Sequence, residues 1–142
     1  MPKKVIKDTD LYTFDEATQE WRKVTKGELS GSPSVVSKAA NYTVPDGTPS
    51  GTVFKATAAA VFTLPAPPAS AGAKYTFINA ADADMGVKTA TADTLITNGD
   101  VAADSVTFST AAHKIGGRVE CWCDGTKWYA FNASDCTMTV AS

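Results

Sequence analysis

The sequence predicts an all-β fold, either a β-sandwich or a jelly-roll-like module, preceded by an N-terminal extended or hairpin arm. Short runs rich in Val, Ile, Thr and aromatic residues recur along the chain, and Gly, Pro, Asn and Asp separate most of them. No long window carries an apolar stripe with a helical period. Many short strands between turn signals are typical of a sandwich or a barrel.

Nine strands are predicted in order along the chain. They cover residues 53–57, 61–64, 75–79, 87–91, 95–97, 106–109, 119–123, 128–131 and 138–140. The alanine-rich segment 56–60 favours a helix by propensity, but β-branched and aromatic residues interrupt it and Pro65 would end it. We therefore expect no helix there.

Charge divides the chain into two parts. Of the 142 residues, 13 are basic and 15 acidic, and residues 1–29 hold 12 of these charges. Residues 30–34 are small and turn-forming, which is typical of a linker. The sequence predicts an arm with its linker at 1–34 and a β-sandwich body at 35–142, one domain with a modest core.

The arm contains a predicted hairpin. Residues 11–14 and 21–25 are rich in aromatic and β-branched side chains, and a polar turn separates them. Two strands alone are marginally stable in water, so this hairpin needs another surface. Either it folds back onto the body or it reaches a partner subunit.

The last predicted hairpin has the clearest pattern. Side chains alternate along 119–123, so Cys121 and Cys123 share one face. The Asp-Gly pair that follows provides the positive φ of a tight turn. With an even number of turn residues, Trp128 and Ala130 lie on the face of the cysteines, and that face is the core; an odd number reverses the return strand.

The sequence predicts no catalytic site, no cofactor and no metal site, and hence not an enzyme. The one histidine, His113, has no nucleophile motif or paired acid beside it. Cys121 and Cys123 are too close on a strand for an unstrained disulfide. With Cys136 they give three cysteines, whereas a structural zinc site needs four ligands, so the match to a zinc site is weak. We expect reduced, mostly buried thiols.

Charge and hydropathy also limit the partners. The net charge is −2, so no basic field indicates nucleic acid or an anionic membrane. No apolar run is long enough to span a bilayer, and the start of the chain shows no export signal. Trp122, Tyr129 and Trp21 would suit a sugar-binding platform, but aromatic residues in strands are more often part of the core.

Residues 41–142 resemble the small β-rich decoration proteins, also called cement or head-stabilising proteins, of tailed bacteriophages. Similar modules also occur in phage fibres and tail proteins. The motifs that carry the resemblance are Val61-Phe62-Thr63-Leu64-Pro65-x-Pro67, Tyr75-Thr76-Phe77-Ile78-Asn79, Thr94-Leu95-Ile96, Asn98-Gly99-Asp100, Asp104-Ser105-Val106-Thr107-Phe108, Gly117-x-Val119-Glu120 and Cys123-Asp124-Gly125-Thr126-Lys127-Trp128-Tyr129.

The resemblance implies a structural protein on the outer surface of the virion capsid, made in the host cytoplasm. Such proteins are trimer-prone and clamp neighbouring major capsid subunits at three-fold or quasi-three-fold positions. Many weak contacts repeated by symmetry add avidity where capsomers meet. The alternative is a receptor- or glycan-binding β-module of a phage fibre or tail.

On the decoration hypothesis, the arm is the segment that reaches the shell. Its apolar side chains would insert into the capsid surface or add to it by β-pairing. The predicted capsid or partner contacts are Leu11, Tyr12, Phe14, Trp21 and Val24.

Overall fold

The computed structural model describes residues 12–15, 19–23 and 33–142. The chain divides into two units, Met1–Pro33 and Ser34–Ser142. In the first unit, strands β1 (Tyr12–Asp15) and β2 (Glu20–Lys23) pair antiparallel, with Phe14 opposite Trp21. The predicted arm hairpin is therefore present.

The second unit contains twelve strands and one short 3₁₀ helix. All nine predicted strands are present, with shifts of up to three residues at their ends, and three short strands at Val35–Lys38, Tyr42–Thr43 and Asp100–Ala103 were not predicted. The elements are β3 (Val35–Lys38), β4 (Tyr42–Thr43), β5 (Val53–Ala56), β6 (Ala60–Thr63), the 3₁₀ helix (Pro67–Ala69), β7 (Lys74–Asn79), β8 (Met85–Lys88), β9 (Leu95–Thr97), β10 (Asp100–Ala103), β11 (Ser105–Phe108), β12 (Arg118–Cys123), β13 (Trp128–Asn132) and β14 (Thr139–Ala141).

These strands form two sheets, which confirms the predicted all-β, sandwich-like fold. The larger sheet has the order β10-β9-β13-β12-β7-β5-β3, and the smaller has the order β14-β11-β8-β6-β4. No helix among the described residues is long and apolar enough to cross a bilayer.

The first six strands of this unit alternate between the two sheets. Strands β3, β5 and β7 pair in parallel in the larger sheet, and β4, β6 and β8 pair in parallel in the smaller one. They form a three-turn stack, each turn adding one strand to each sheet. A jelly roll is built from antiparallel Greek keys, so these parallel pairs favour the sandwich alternative.

The core lies between the sheets and is rich in aromatic rings. Phe54 stacks on Phe77 with ring centroids 5.1 Å apart, and Phe62 packs on Phe77 at the same distance. Tyr75 continues the cluster and stacks on Trp128 at 5.6 Å. Period-two alternation places these side chains on the inner faces, where they are almost completely buried.

The last hairpin follows the even-turn alternative. Cys123 pairs with Trp128, so the turn contains four residues. Cys121, Cys123, Trp128 and Ala130 are all buried on the inner face, as predicted for an even turn. Gly125 in this turn has φ +94°, which explains the glycine.

Candidate functional site

The outer face of the β12–β13 hairpin carries a group of large exposed side chains. Because the inner face holds the small cysteines and Trp128, alternation turns Trp122, Tyr129 and Phe131 outward. Trp122 is 44% exposed and Phe131 is 54% exposed, while Tyr129 is half-buried. We call these three residues the aromatic surface.

The rings of the aromatic surface are held by strand register. Trp122 lies opposite Tyr129, and their ring centroids are 5.2 Å apart with an interplanar angle of 45°. Phe131 lies opposite Glu120, two residues from Trp122. On the next strand, Ile96 of β9 pairs with Tyr129 and extends the apolar area. The result is an apolar area on a rigid sheet.

Asp124 fixes the turn beside the aromatic surface. Its Oδ1 accepts hydrogen bonds from the backbone N–H groups of Thr126 and Lys127, both at 2.8 Å, and its Oδ2 accepts one from the Tyr129 hydroxyl at 3.0 Å. The backbone N–H groups of Lys127 and Thr126 lower the pKa of Asp124, since they stabilise the carboxylate. The hydrogen bond to Asp124 raises the pKa of Tyr129.

One ion pair lies on the same face. Lys74 Nζ is 3.7 Å from Glu120 Oε2, and both side chains are substantially exposed. Lys74 pairs with Trp122 across β7 and β12, so the charges border the indole ring. An exposed pair of this kind contributes little to stability, but it provides polar groups at the border of the apolar area.

The outer face of the smaller sheet has a different character. Thr63, Lys88, Ser105 and Ala141 are cross-strand neighbours on β6, β8, β11 and β14. Two residues further along the strands on the same face, Gly86 lies between Val61 and Thr107. A Cβ at Gly86 would lie 3.3 Å from Thr107 Oγ1, so the face is flat and tightly packed at that point. Apart from Lys88 and Val61, the side chains at these positions are small and mostly polar, and the aromatic surface belongs to the larger sheet.

The predicted arm contacts are only partly described. Tyr12 and Phe14 lie on β1 and Trp21 on β2, and Phe14 pairs directly with Trp21. Leu11 and Val24 lie outside the described residues. The role of these five residues as capsid contacts stays a prediction.

The expectation that strand aromatics belong to the core is wrong for Trp122, which is exposed. The alternation that placed Cys121 and Cys123 on the core face also places Trp122 on the other face, so the sequence contained the signal. Phe131 is likewise exposed, and sequence reasoning did not single it out.

The groups considered for chemistry are separated. His113 is exposed, and its Nδ1 lies 3.4 Å from the Thr137 hydroxyl. The three cysteines are free; Cys121 and Cys123 are buried, and burial raises the pKa of both thiols. Within the described residues, no group of three or more His, Cys, Asp or Glu side chains is placed to hold a metal ion.

The motifs of the phage resemblance have structural roles in this fold. The Trp128 indole N–H donates to the carbonyl oxygen of Pro65 at 2.9 Å, which joins two of those motifs inside the core. Tyr75 belongs to a third, and its hydroxyl donates to the carbonyl of Thr48 at 2.7 Å. These residues therefore have a structural explanation within the fold, and they do not identify a partner.

No protein-family model, no curated protein and no solved structure matches this chain.

Proposed function

We propose that this chain is a non-enzymatic decoration, or cement, protein that binds the outer surface of a tailed-bacteriophage capsid. It clamps neighbouring major capsid subunits as a trimer at three-fold or quasi-three-fold positions. The proposal combines the motif resemblance with the properties of the surface.

The observation that carries the proposal is the aromatic surface. Trp122, Tyr129 and Phe131 lie on one face of a seven-stranded sheet, and two of them are about half exposed. Aromatic side chains are enriched at protein interfaces because each buries a large area while losing little conformational freedom. A rigid sheet adds to this, since little of the surface has to be ordered on binding.

The arm is the second part of the proposal. In the register of its hairpin, Phe14 lies opposite Trp21. An isolated two-stranded hairpin is marginally stable, so contact with a partner would stabilise it. We assign the shell contacts of the arm to Leu11, Tyr12, Phe14, Trp21 and Val24.

Sedimentation velocity tests the proposal. The purified protein is run alone and then with expanded, undecorated capsids of its phage. The expected result is co-sedimentation that saturates at a copy number allowed by the capsid symmetry. If the protein does not sediment with the capsids even at micromolar concentrations, well above the dissociation constant of a specific complex, the proposal is overturned.

A receptor- or glycan-binding module of a fibre or tail is the second candidate. The observation that favours it is the Trp122–Tyr129 pair, because an exposed indole beside a half-buried phenol, with Lys74 and Glu120 next to them, offers both stacking and hydrogen bonds to a sugar. Host-surface oligosaccharides are titrated against the protein while its tryptophan fluorescence is recorded. This candidate predicts a saturable change that is lost in Trp122→Ala, and the decoration proposal predicts no change.

A further inference from the structure

Strands β3 and β4 form the first turn of the stack, and each is the outermost strand at one edge of its sheet. Among the described residues, β3 is the last strand of the larger sheet and β4 the last of the smaller one. They are consecutive in the chain, so both edges lie at the same end of the sandwich. Strand β3 is the longer of the two, and its first residue, Val35, is 64% exposed.

The hydrogen bonds between β3 and β5 show which backbone groups point away from the sheet. The carbonyl oxygens of Ser34 and Lys38 accept from the N–H groups of Val53 and Thr57, at 2.8 and 2.9 Å. Because backbone groups alternate along a strand, the N–H and C=O groups of Val35 and Ser37 face away from β5. These two residues form a regular strand edge.

The opposite edge of the larger sheet is blocked. The register of β10 shifts between Asp100 and Ala103, and Asp100 Oδ1 accepts the N–H of Ala102 at 2.8 Å. Lys127 Nζ donates to the carbonyl of Val101 at 2.8 Å. Bulges and charged side chains are the means by which proteins prevent edge pairing. Strand β3 has a lysine only at its last residue, Lys38, whose Nζ lies 4.0 Å from the ring centroid of Tyr42, and the outward-facing groups of Val35 and Ser37 between Pro33 and Lys38 show no bulge.

We propose that the β3 edge binds a second copy of this chain, by antiparallel pairing of β3 with β3 about a two-fold axis at Val36. Val35 of each copy then lies opposite Ser37 of the other, and each exchanges both backbone hydrogen bonds with it. The contact is isologous, because the same edge is used on both copies.

The flanking residues select this register. A shift that centres the axis on Val35 would place Pro33 opposite Ser37, and proline has no N–H to donate. A shift that centres it on Ser37 would need Ala39, which lies in the bend after β3. Only the axis at Val36 uses both outward-facing residues of the strand.

The side chains suit this pairing. Val36 lies opposite Val36 of the second copy at the close, non-hydrogen-bonded spacing, on the face that packs against the core. The exposed Val35 side chains of the two copies become diagonal neighbours on the outer face. Lys38 lies opposite Ser34, and its Nζ is 4.0 Å from the ring centroid of its own Tyr42, so no like charges face each other.

This inference goes beyond the proposed function and does not depend on it. If the chain does form trimers on a shell, two-fold contacts between neighbouring trimers remain compatible, because icosahedral symmetry contains both axes. The β3 contact would then link adjacent decoration proteins to each other.

Substitution of Ser37 tests the pairing. Ser37→Pro removes the backbone N–H that points away from β5, and an edge strand tolerates proline at such a position. Ser37→Ala keeps this N–H and is the matched control. Self-association of the full chain is measured by sedimentation equilibrium over a wide concentration range. We expect the wild type and Ser37→Ala to associate alike, and Ser37→Pro to associate about ten-fold or more weakly.

Amide hydrogen exchange shows whether the variant is folded and whether the β3 edge is already paired. In dilute wild type we expect slow exchange at Val36 and Lys38 and fast exchange at Val35 and Ser37, with Val35 and Ser37 becoming protected as concentration rises. Ser37→Pro should keep the protection of Val36 and Lys38. Equal self-association of a folded Ser37→Pro variant, no association in the wild type, or protection of Val35 and Ser37 at every dilution would each overturn the proposal.

Discussion

The indole N–H of Trp128 donates a 2.9 Å hydrogen bond to the carbonyl oxygen of Pro65, 63 residues earlier in the chain. Both groups are buried, and the ring also stacks on Tyr75. One contact thus connects the return strand of the last hairpin to the segment that follows β6.

Replacement of Trp128 by phenylalanine should strongly destabilise the body. It leaves the Pro65 carbonyl without its donor and opens a cavity where the indole was, so we expect a loss of about 2–4 kcal/mol in the free energy of unfolding. Trp122→Phe is the matched control and should change this value by about 0.5 kcal/mol or less, since Trp122 is exposed. Denaturant unfolding followed by circular dichroism measures both, and equal effects would contradict the assignment of Trp128 to the core.

Gly117→Ala should destabilise the protein because the new methyl group meets Phe108. A Cβ at Gly117 would lie 2.7 Å from Phe108 Cγ, closer than van der Waals contact allows. Overpacking of this kind costs about 1–3 kcal/mol. The same substitution should cost less in a Phe108→Leu background, and a double-mutant cycle by denaturant unfolding measures the difference. Equal costs in both backgrounds would show that Phe108 is not the obstacle.

The free energy of unfolding should fall as the pH rises above about 9. Burial raises the pKa of the Cys121 thiol above its ordinary value of 9.0. The unfolded chain therefore releases this proton first and binds fewer protons than the native state, so stability decreases with pH by up to about 1.4 kcal/mol per pH unit. Burial also raises the pKa values of Cys123 and Tyr75, in the same direction.

Cys121→Ala isolates the contribution of this thiol to the alkaline pH dependence. The variant should be less stable at neutral pH because of the cavity, but its stability should fall less steeply between pH 9 and 11. Urea unfolding at several pH values provides the slopes. Identical slopes for the variant and the wild type would rule out Cys121 as a source of the pH dependence.

Deletion of residues 1–29 should leave the body folded and abolish shell binding. All the buried core residues of the body lie between Val44 and Ala130, so its thermal midpoint should change by only a few degrees. The double variant Phe14→Ala, Trp21→Ala tests the arm more selectively and should weaken binding in the same co-sedimentation assay. Full binding by the truncated protein would refute the role of the arm.

Most strands could be predicted because the alternation of side chains and the flanking turn residues are local features, which lie within a few positions of each other in the sequence. Residues 119–131 specified a hairpin and, for an even turn, its faces. Strand β4 was missed because two residues carry no periodicity, β10 because Asp100, Ala102 and Ala103 have low β propensity, and β3 because it has only two β-branched residues next to the turn-forming segment 30–34. Parallel pairing of β3, β5 and β7 depends on partners about twenty residues apart, and alternation within a strand does not identify its neighbour.

The candidate site was only partly predictable. The outward direction of Trp122 follows from the alternation with Cys121 and Cys123, but its exposure depends on what covers the outer face of the sheet. The proximity of Lys74 to Glu120 depends on the pairing of β7 with β12, which the sequence pattern alone does not contain.

The most direct test of the proposed function is the affinity of surface variants for expanded, undecorated capsids. Trp122→Ala and Phe131→Ala remove parts of the aromatic surface, and Ile115→Ala is the control, since Ile115 is 61% exposed in the loop between β11 and β12. We expect each aromatic substitution to weaken co-sedimentation about ten-fold or more while leaving stability nearly unchanged, and Ile115→Ala to bind like the wild type. Unchanged binding by a folded Trp122→Ala, Phe131→Ala double variant would contradict the claim that this surface contacts the capsid.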